Sequence, residues 1–257
     1  MRRGDAAVFS ISVALVAVVV GAIALSVYVD DRPRGIFDPA AENSTASLLV
    51  VTWGPSLCKV DPSNAGCTSG HVGKQDPTLI MHGLWPQPPT QQFCGVPNEE
   101  GKRWDQQNTN MSSLDLPRDV QANLDSMMSD AEIMAPHEWR AHGSCSGVTP
   151  AEYFGIATEL TEQVNEILDP VFQKSQGGYV SLSALRGRFA GEFGADAGNR
   201  VSLNCRDVGG EGIVAYEVHV SLPPVTDLRQ EANAVALKDV ITKGPEIAAG
   251  CRRASVP

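Results

Sequence analysis

Positive charge is scarce in this chain. Its 257 residues carry 20 Lys and Arg against 30 Asp and Glu, a formal net charge of -10. Gripping nucleic acid by charge alone takes a Lys/Arg-rich surface that neutralises phosphates, so any polyanionic partner must be held by a few placed residues. No C-x-x-C pair occurs, and no histidine stands at finger spacing from a cysteine pair, so the usual signatures of structural zinc are missing. No internal repeat is visible. What is present, 42% hydrophobic and 19% charged residues, is the composition of one ordinary globular core or two small ones, neither collagen-like nor broadly disordered.

The N-terminus departs from that average. Arg2 and Arg3 precede an uncharged, Val/Ala/Ile/Leu-rich run from Ala6 to Val29, the pattern of an export signal. Residues 1–29 are read as a signal peptide or a signal anchor: the run is long enough to span a bilayer, while Ala22-Ile23-Ala24 offers a small-residue cleavage site. Removing them leaves the remainder one unit more acidic. Residues 30–47 read as a linker and 48–257 as the folded domain. All six cysteines, Cys58, Cys67, Cys94, Cys145, Cys205 and Cys251, follow the export segment. An even count in an oxidising compartment predicts three disulfides, with 15 pairings open to the sequence.

Short β-rich runs fall at Leu48–Trp53, stopped by Gly54-Pro55, and at Thr78–His82, stopped by Gly83. Two more are predicted at 200–205 and 212–222 across Gly209-Gly210, the second with Val214, Tyr216, Val218 and Val220 on one face and Glu217 and His219 on the other. Thr149, Pro150 and Glu152 form a capping-box start for a helix expected to end at Asp169-Pro170. Shorter helices are expected over 117–128 and 183–193. Strands and helices mix without strict alternation, which predicts an α+β domain. The long loop from Pro86 to Leu114 suggests a functional surface.

Two short stretches carry the chemistry. Met81-His82-Gly83-Leu84-Trp85-Pro86 puts a histidine at the end of a buried strand. Pro136-His137-Glu138-Trp139-Arg140-Ala141-His142-Gly143-Ser144-Cys145 reads as a two-turn helix with Pro136 at its first position and Gly143 as its stop. On a helix Glu138 and His142, four apart, share a face, whereas His137 and His142 diverge by about 140°. That divergence breaks the H-E-x-x-H geometry a zinc peptidase needs. A carboxylate beside an imidazole raises the imidazole's proton affinity and orients it, an acid/base arrangement. His71 and His219 stand in no motif and read as surface residues.

His82-Gly83-Leu84-Trp85-Pro86, with His137-Glu138-Trp139 followed by His142-Gly143-Ser144-Cys145, resembles the two active-site motifs of the ribonuclease T2 family. The strand and turn Leu48 to Pro55 leading into Cys58 extend the likeness from about Leu48 to Cys251. The resemblance implies a mostly antiparallel central sheet packed with helices and stabilised by disulfides. It also implies an exported endoribonuclease that cleaves single-stranded RNA by metal-independent transesterification through a 2′,3′-cyclic phosphate, without a cofactor and with broad base specificity. His142 then takes the base position, His82 the acid position, Glu138 the position supporting the transition state and His137 the phosphate-binding position.

Trp85 and Arg140 are further candidates for substrate or phosphate contact. Trp85 and Phe93 offer stacking faces, with Trp85 equally able to pack against the strand end, and Trp139 is read as packing. One position departs from the family: Ala141 stands where a lysine is common. Arg140 lies about 100° away on a helix and is a poor substitute, so weaker transition-state stabilisation is expected. The family pattern further implies Cys94–Cys145 and Cys205–Cys251, which leaves Cys58–Cys67.

The alternative to an enzyme is a catalytically weakened ribonuclease-like protein that binds RNA or a partner, supported by Ala141 alone. A monomer is expected, extracytoplasmic, secreted or periplasmic, with membrane contact only through residues 6–29.

Overall fold

The computed structural model describes residues 44–96, 113–229 and 234–257. The export segment, nearly all of the linker and positions 97–112 of the loop after Pro86 lie outside the described residues. Among the described residues no helix is long and apolar enough to cross a membrane.

Six strands form one sheet. They are β1 (Ala46–Trp53), β2 (Leu79–Gln87), β3 (Tyr179–Ser181), β4 (Val201–Asp207), β5 (Ile213–Leu222) and β6 (Arg253–Ser255). Their order is β2-β1-β5-β6-β3, with β4 also paired to β5. Every pairing is antiparallel except β5 with β6, so the expected mostly antiparallel sheet is present. β3 and β6, three residues each, were not foreseen, because so short a run carries no period.

β2 does not stop at Gly83. Val50 pairs with Gly83 and Val51 with Met81, so His82 is the extra residue of a bulge. A bulge re-aims a side chain without ending its strand, and β2 continues to Gln87 at the edge of the sheet, where Pro86 is tolerated. A second irregularity falls on β5, where Asn204 faces Glu217 but Cys205 faces Ala215. Tyr216 is the unmatched residue, and the predicted alternation changes phase there. Val218 and Val220 enter the main core with Ala215, whereas Tyr216 packs against a small cluster of Leu57, Val72 and Ile80.

The main core lies between one face of the sheet and the helices. Leu49, Val51 and Trp53 of β1 and Met81 and Leu84 of β2 meet Tyr153, Phe154, Leu160, Val164 and Leu168 of the long helix. The helices are α1 (Gly54–Val60), α2 (Ala65–Thr68), α3 (Arg118–Met127), α4 (Ala131–Ala141), α5 (Pro150–Lys174) and α6 (Leu182–Phe193), followed by two single turns. The capping box of α5 forms as expected: Thr149 accepts from the Glu152 N–H, and Glu152 accepts from the Thr149 N–H.

α5 runs past Pro170, contrary to the predicted stop. Phe172, one turn from Leu168 on the buried side, stacks on Trp53 at 5.0 Å between centroids. The Asp169 carboxylate accepts from the Leu79 N–H at 2.8 Å and from the Thr78 hydroxyl. Those tertiary contacts outweigh the single backbone hydrogen bond that proline forfeits. The three disulfides pair Cys58 with Cys67, Cys94 with Cys145, and Cys205 with Cys251.

Candidate active site

The second histidine segment is the end of a longer helix than its sequence suggested. α4 begins at Ala131, where Asp130 caps it by accepting the Ile133 N–H at 3.1 Å, so Pro136 lies inside the helix rather than at its first position. The C-terminal end is as expected in place but not in cause. His142 leaves helical geometry at φ -126, and Gly143 is required by space: a Cβ there would stand 2.3 Å from the Trp139 ring. Trp139 in turn meets Tyr153 edge-on at 5.7 Å and packs against the core.

The two motifs meet across Gly83. A Cβ on Gly83 would fall 2.0 Å from Glu138 Oε2, so only glycine lets the helix carboxylate lie against the strand. Glu138, 1% exposed, accepts the Trp85 indole N–H at 2.9 Å through Oε2. Its Oε1 lies 3.6 Å from His82 Nε2 and 4.0 Å from His137 Nε2. The strand side is held by Tyr153, whose hydroxyl donates to the Leu84 carbonyl and accepts the Leu84 N–H.

Trp85 is the hub of the site. Its ring stacks on His142 at 4.9 Å and meets His82 edge-on at 5.1 Å. It also meets His219 edge-on, at 5.7 Å. His219 is therefore no bystander, contrary to the sequence reading. The β5 alternation put Glu217 and His219 on the face opposite the valines, correctly, but that face is covered by the site rather than by solvent. Glu217, 5% exposed, accepts from His82 Nδ1 at 2.9 Å through Oε1 and from His219 Nε2 at 3.2 Å through Oε2. No motif pointed to Glu217. The available signal was a charged residue in an otherwise apolar strand, which calls for a buried partner.

The two imidazoles beside Trp85 are driven apart in proton affinity. For His82, burial opposes the charged form, but the hydrogen bond to Glu217 and the charges of Glu138 and Glu217 outweigh it and raise the pKa above the ordinary histidine value. For His142 burial dominates. The attraction of Glu138 does not offset it, and His137 and His82 add repulsion, so the pKa falls. Glu138 does raise the proton affinity of its helix neighbour, as expected, but burial outweighs it. Glu217 is held down to about 2: burial works against its charge, and the bonds from His219 and His82 overcome that. Titratable pairs pushed in opposite directions are the usual mark of an acid and a base.

The remaining candidates divide. His137 joins the cluster through Glu138, and its Nδ1 has no hydrogen-bond partner among the described residues. Arg140 is two residues past Glu138, about 200° around the helix and so on its far side. Ala141 is 3% exposed, and its carbonyl accepts the N–H of Phe93, which sits at φ 54. This bond and Cys94–Cys145 fasten the segment after β2 to the end of α4. His71 stands apart, in contact with Gln75. Beside His82 and His137 opens a cavity of about 170 Å³, lined also by Thr52, Asp61, Asn64, Ser129 and Tyr216. Among the described residues no three His, Cys, Asp or Glu side chains converge as metal ligands.

Comparison with known proteins identifies the family. The model of the Ribonuclease T2 family matches residues 44–231. The chain is 29% identical over 168 residues to ribonuclease MC of Momordica charantia, covering 62% of this chain and 78% of that one. It is 30% identical over 126 residues to intracellular ribonuclease LX of Solanum lycopersicum, covering 46% and 47%, about half that relative's length. The solved structure of RNase NT in complex with 5′-AMP shares the fold, with a TM-score of 0.54 at 19% identity over 84% of this chain and 98% of the other. The family match spans both histidine segments and the strands β1 to β5, and on that ground the chain belongs to the ribonuclease T2 family and is an endoribonuclease of the T2 type.

Proposed function

We propose that the protein is an exported endoribonuclease that cleaves single-stranded RNA by metal-independent transesterification, with His142 as base and His82 as acid. The observation that carries this reading is the gathering of two imidazoles about one indole, His82 at 5.1 Å and His142 at 4.9 Å from the Trp85 ring, with their proton affinities shifted in opposite directions. Neutral His142 takes the proton of the ribose 2′-OH as that oxygen bonds to the adjacent phosphorus. The bond from phosphorus to the 5′-oxygen breaks, and protonated His82 gives its Nε2 proton to the departing oxygen, leaving a 2′,3′-cyclic phosphate. With the roles reversed, water opens the cycle to a 3′-phosphate. His137, which lines the cavity beside His82, is suited to donate to a phosphate oxygen, and Glu138 to hold His82, His137 and Trp85 in one array.

Export, by secretion or to the periplasm with the N-terminal segment cleaved or retained as an anchor, is supported by that segment and by the three disulfides. The contact array of His82, Glu138 and His142 favours the enzyme over a weakened RNA-binding relative, for which Ala141 remains the one argument.

Purified protein incubated with RNA and with its 2′-deoxy analogue across pH 4–8 tests the proposal. A cyclic phosphate from RNA alone, absent in His82→Ala and in His142→Ala, is expected. Cleavage of the deoxy strand, or activity abolished by chelator and restored by zinc, would overturn it.

A further inference from the structure

We propose that Glu217 is the positioning residue of the acid: its carboxylate accepts the Nδ1–H of His82 and thereby presents Nε2 to the leaving oxygen. The inference rests on the reading of His82 as that acid. A neutral imidazole has two tautomers, and donation from Nε2 leaves the one protonated at Nδ1. A carboxylate can only accept, so Glu217 at 2.9 Å stabilises this tautomer and bars donation from the wrong nitrogen. Nε2 then points toward α4, 3.6 Å from Glu138 Oε1.

Glu217 is fixed more firmly than a loop residue could be. It pairs with Thr52 of β1 on one side and Asn204 of β4 on the other, in the middle of the sheet. Its second oxygen is engaged by His219 at 3.2 Å, and His219 is steadied edge-on against Trp85. Two bulges, at His82 on β2 and at Tyr216 beside Glu217 on β5, flank β1 and set the angle at which carboxylate and imidazole meet. The charged or titratable groups facing His82 are Glu138, His137 and His142 from α4, Glu217 and His219 from β5, and Asp61 and Tyr216 across the shared cavity. Of these carboxylates, Glu217 makes the hydrogen bond to the ring.

Glu217→Gln is the test, since it keeps shape and an accepting oxygen while removing the charge. In this variant kcat is expected to fall roughly tenfold at neutral pH, a part of the ~10²–10⁴-fold that a general acid contributes, with KM changed little. The alkaline limb of the kcat profile moves to lower pH, whereas the acidic limb, set by His142, stays. Titration of His82 by NMR in the substrate-free protein shows the same downward shift and a weakened Nδ1–H signal. Glu217→Asp retains the charge but draws it off the ring, so its alkaline limb stays closer to the parent while kcat still falls. A glutamine variant with the parent's melting temperature, alkaline limb and His82 titration would overturn the proposal. So would a loss confined to KM, or an aspartate variant identical to the parent in kcat and Nδ1–H signal. If the parent makes no cyclic phosphate, the function reading fails, and the NMR comparison still decides the role of Glu217.

Discussion

At the scale of single residues, the site depends on one missing side chain as much as on those present. Gly83 leaves the space into which Glu138 reaches, and the nearest atom a Cβ would meet is the carboxylate oxygen itself. Gly83→Ala must displace the Glu138 carboxylate from its place against the strand, and displacement of about an ångström in an array of acid/base groups costs roughly 10²-fold in rate. The expected outcome is a loss of that order in kcat/KM, measured on protein whose melting temperature shows it folded; parent-like activity would mean that Glu138 is not held against the strand. The residues His82, Glu138 and His142 were legible in the sequence because they sit in motifs of fixed spacing. Glu217 and His219 were not, because they lie 135 and 137 positions after His82 and meet it only through the pairing of β5 with β1 and β1 with β2. The direction of the His142 shift was not legible either, since burial, the dominant cause, is a property of the assembled site.

At the scale of elements, the helix carrying Glu138 and His142 is anchored at both ends, and each anchor was half visible. The capping residue Asp130 went unnoticed because Pro136 offered a nearer start. Proline is comfortable at a first turn but can sit further in when the surrounding turns pack, as Ala131 and Ala135 do against the core. The other end is held by Cys94–Cys145 and by the Phe93 N–H on the Ala141 carbonyl. This disulfide ties the stretch that follows the first histidine segment to the end of the second. Replacing both cysteines by alanine is expected to cost about 2–5 kcal/mol and to reduce cleavage at temperatures where far-UV circular dichroism still reports a folded sheet. Activity and structure lost together would show the bond to be purely structural. Pro170 teaches the same lesson as Pro136: a breaker read locally was overruled by Phe172 on Trp53 and by Asp169 on the start of β2.

At the scale of the whole molecule, the acidic balance and the site's titrations act on one pH axis. On the proposed roles, activity requires His142 neutral and His82 charged. With His142 lowered and His82 raised, the rate should hold across a plateau from mildly acid to near-neutral pH, falling below the first value and above the second. Stability follows related groups. Glu217, held at about 2, contributes stability that is present above the ordinary glutamate value and lost as pH falls through 2. His82, with its raised value, contributes stability present below the ordinary histidine value and lost as pH rises through its folded one. Denaturant midpoints measured against pH should therefore decline on both sides, and Glu217→Gln should flatten the acid side; an unchanged acid side would show that Glu217 gains nothing from its two histidines. A surface with an excess of ten negative charges should also bind RNA more weakly as pH rises and its histidines lose charge. By itself the sequence determined the α+β class, the family, the even cysteine count and the two histidine motifs, because composition, short-range period and fixed spacing are local properties of a chain. The tertiary structure alone decided which histidine keeps its proton to the higher pH, that a strand bulge places it, and that Glu217 hydrogen-bonds it. Those depend on burial and on distances between residues more than a hundred positions apart, which no local pattern records.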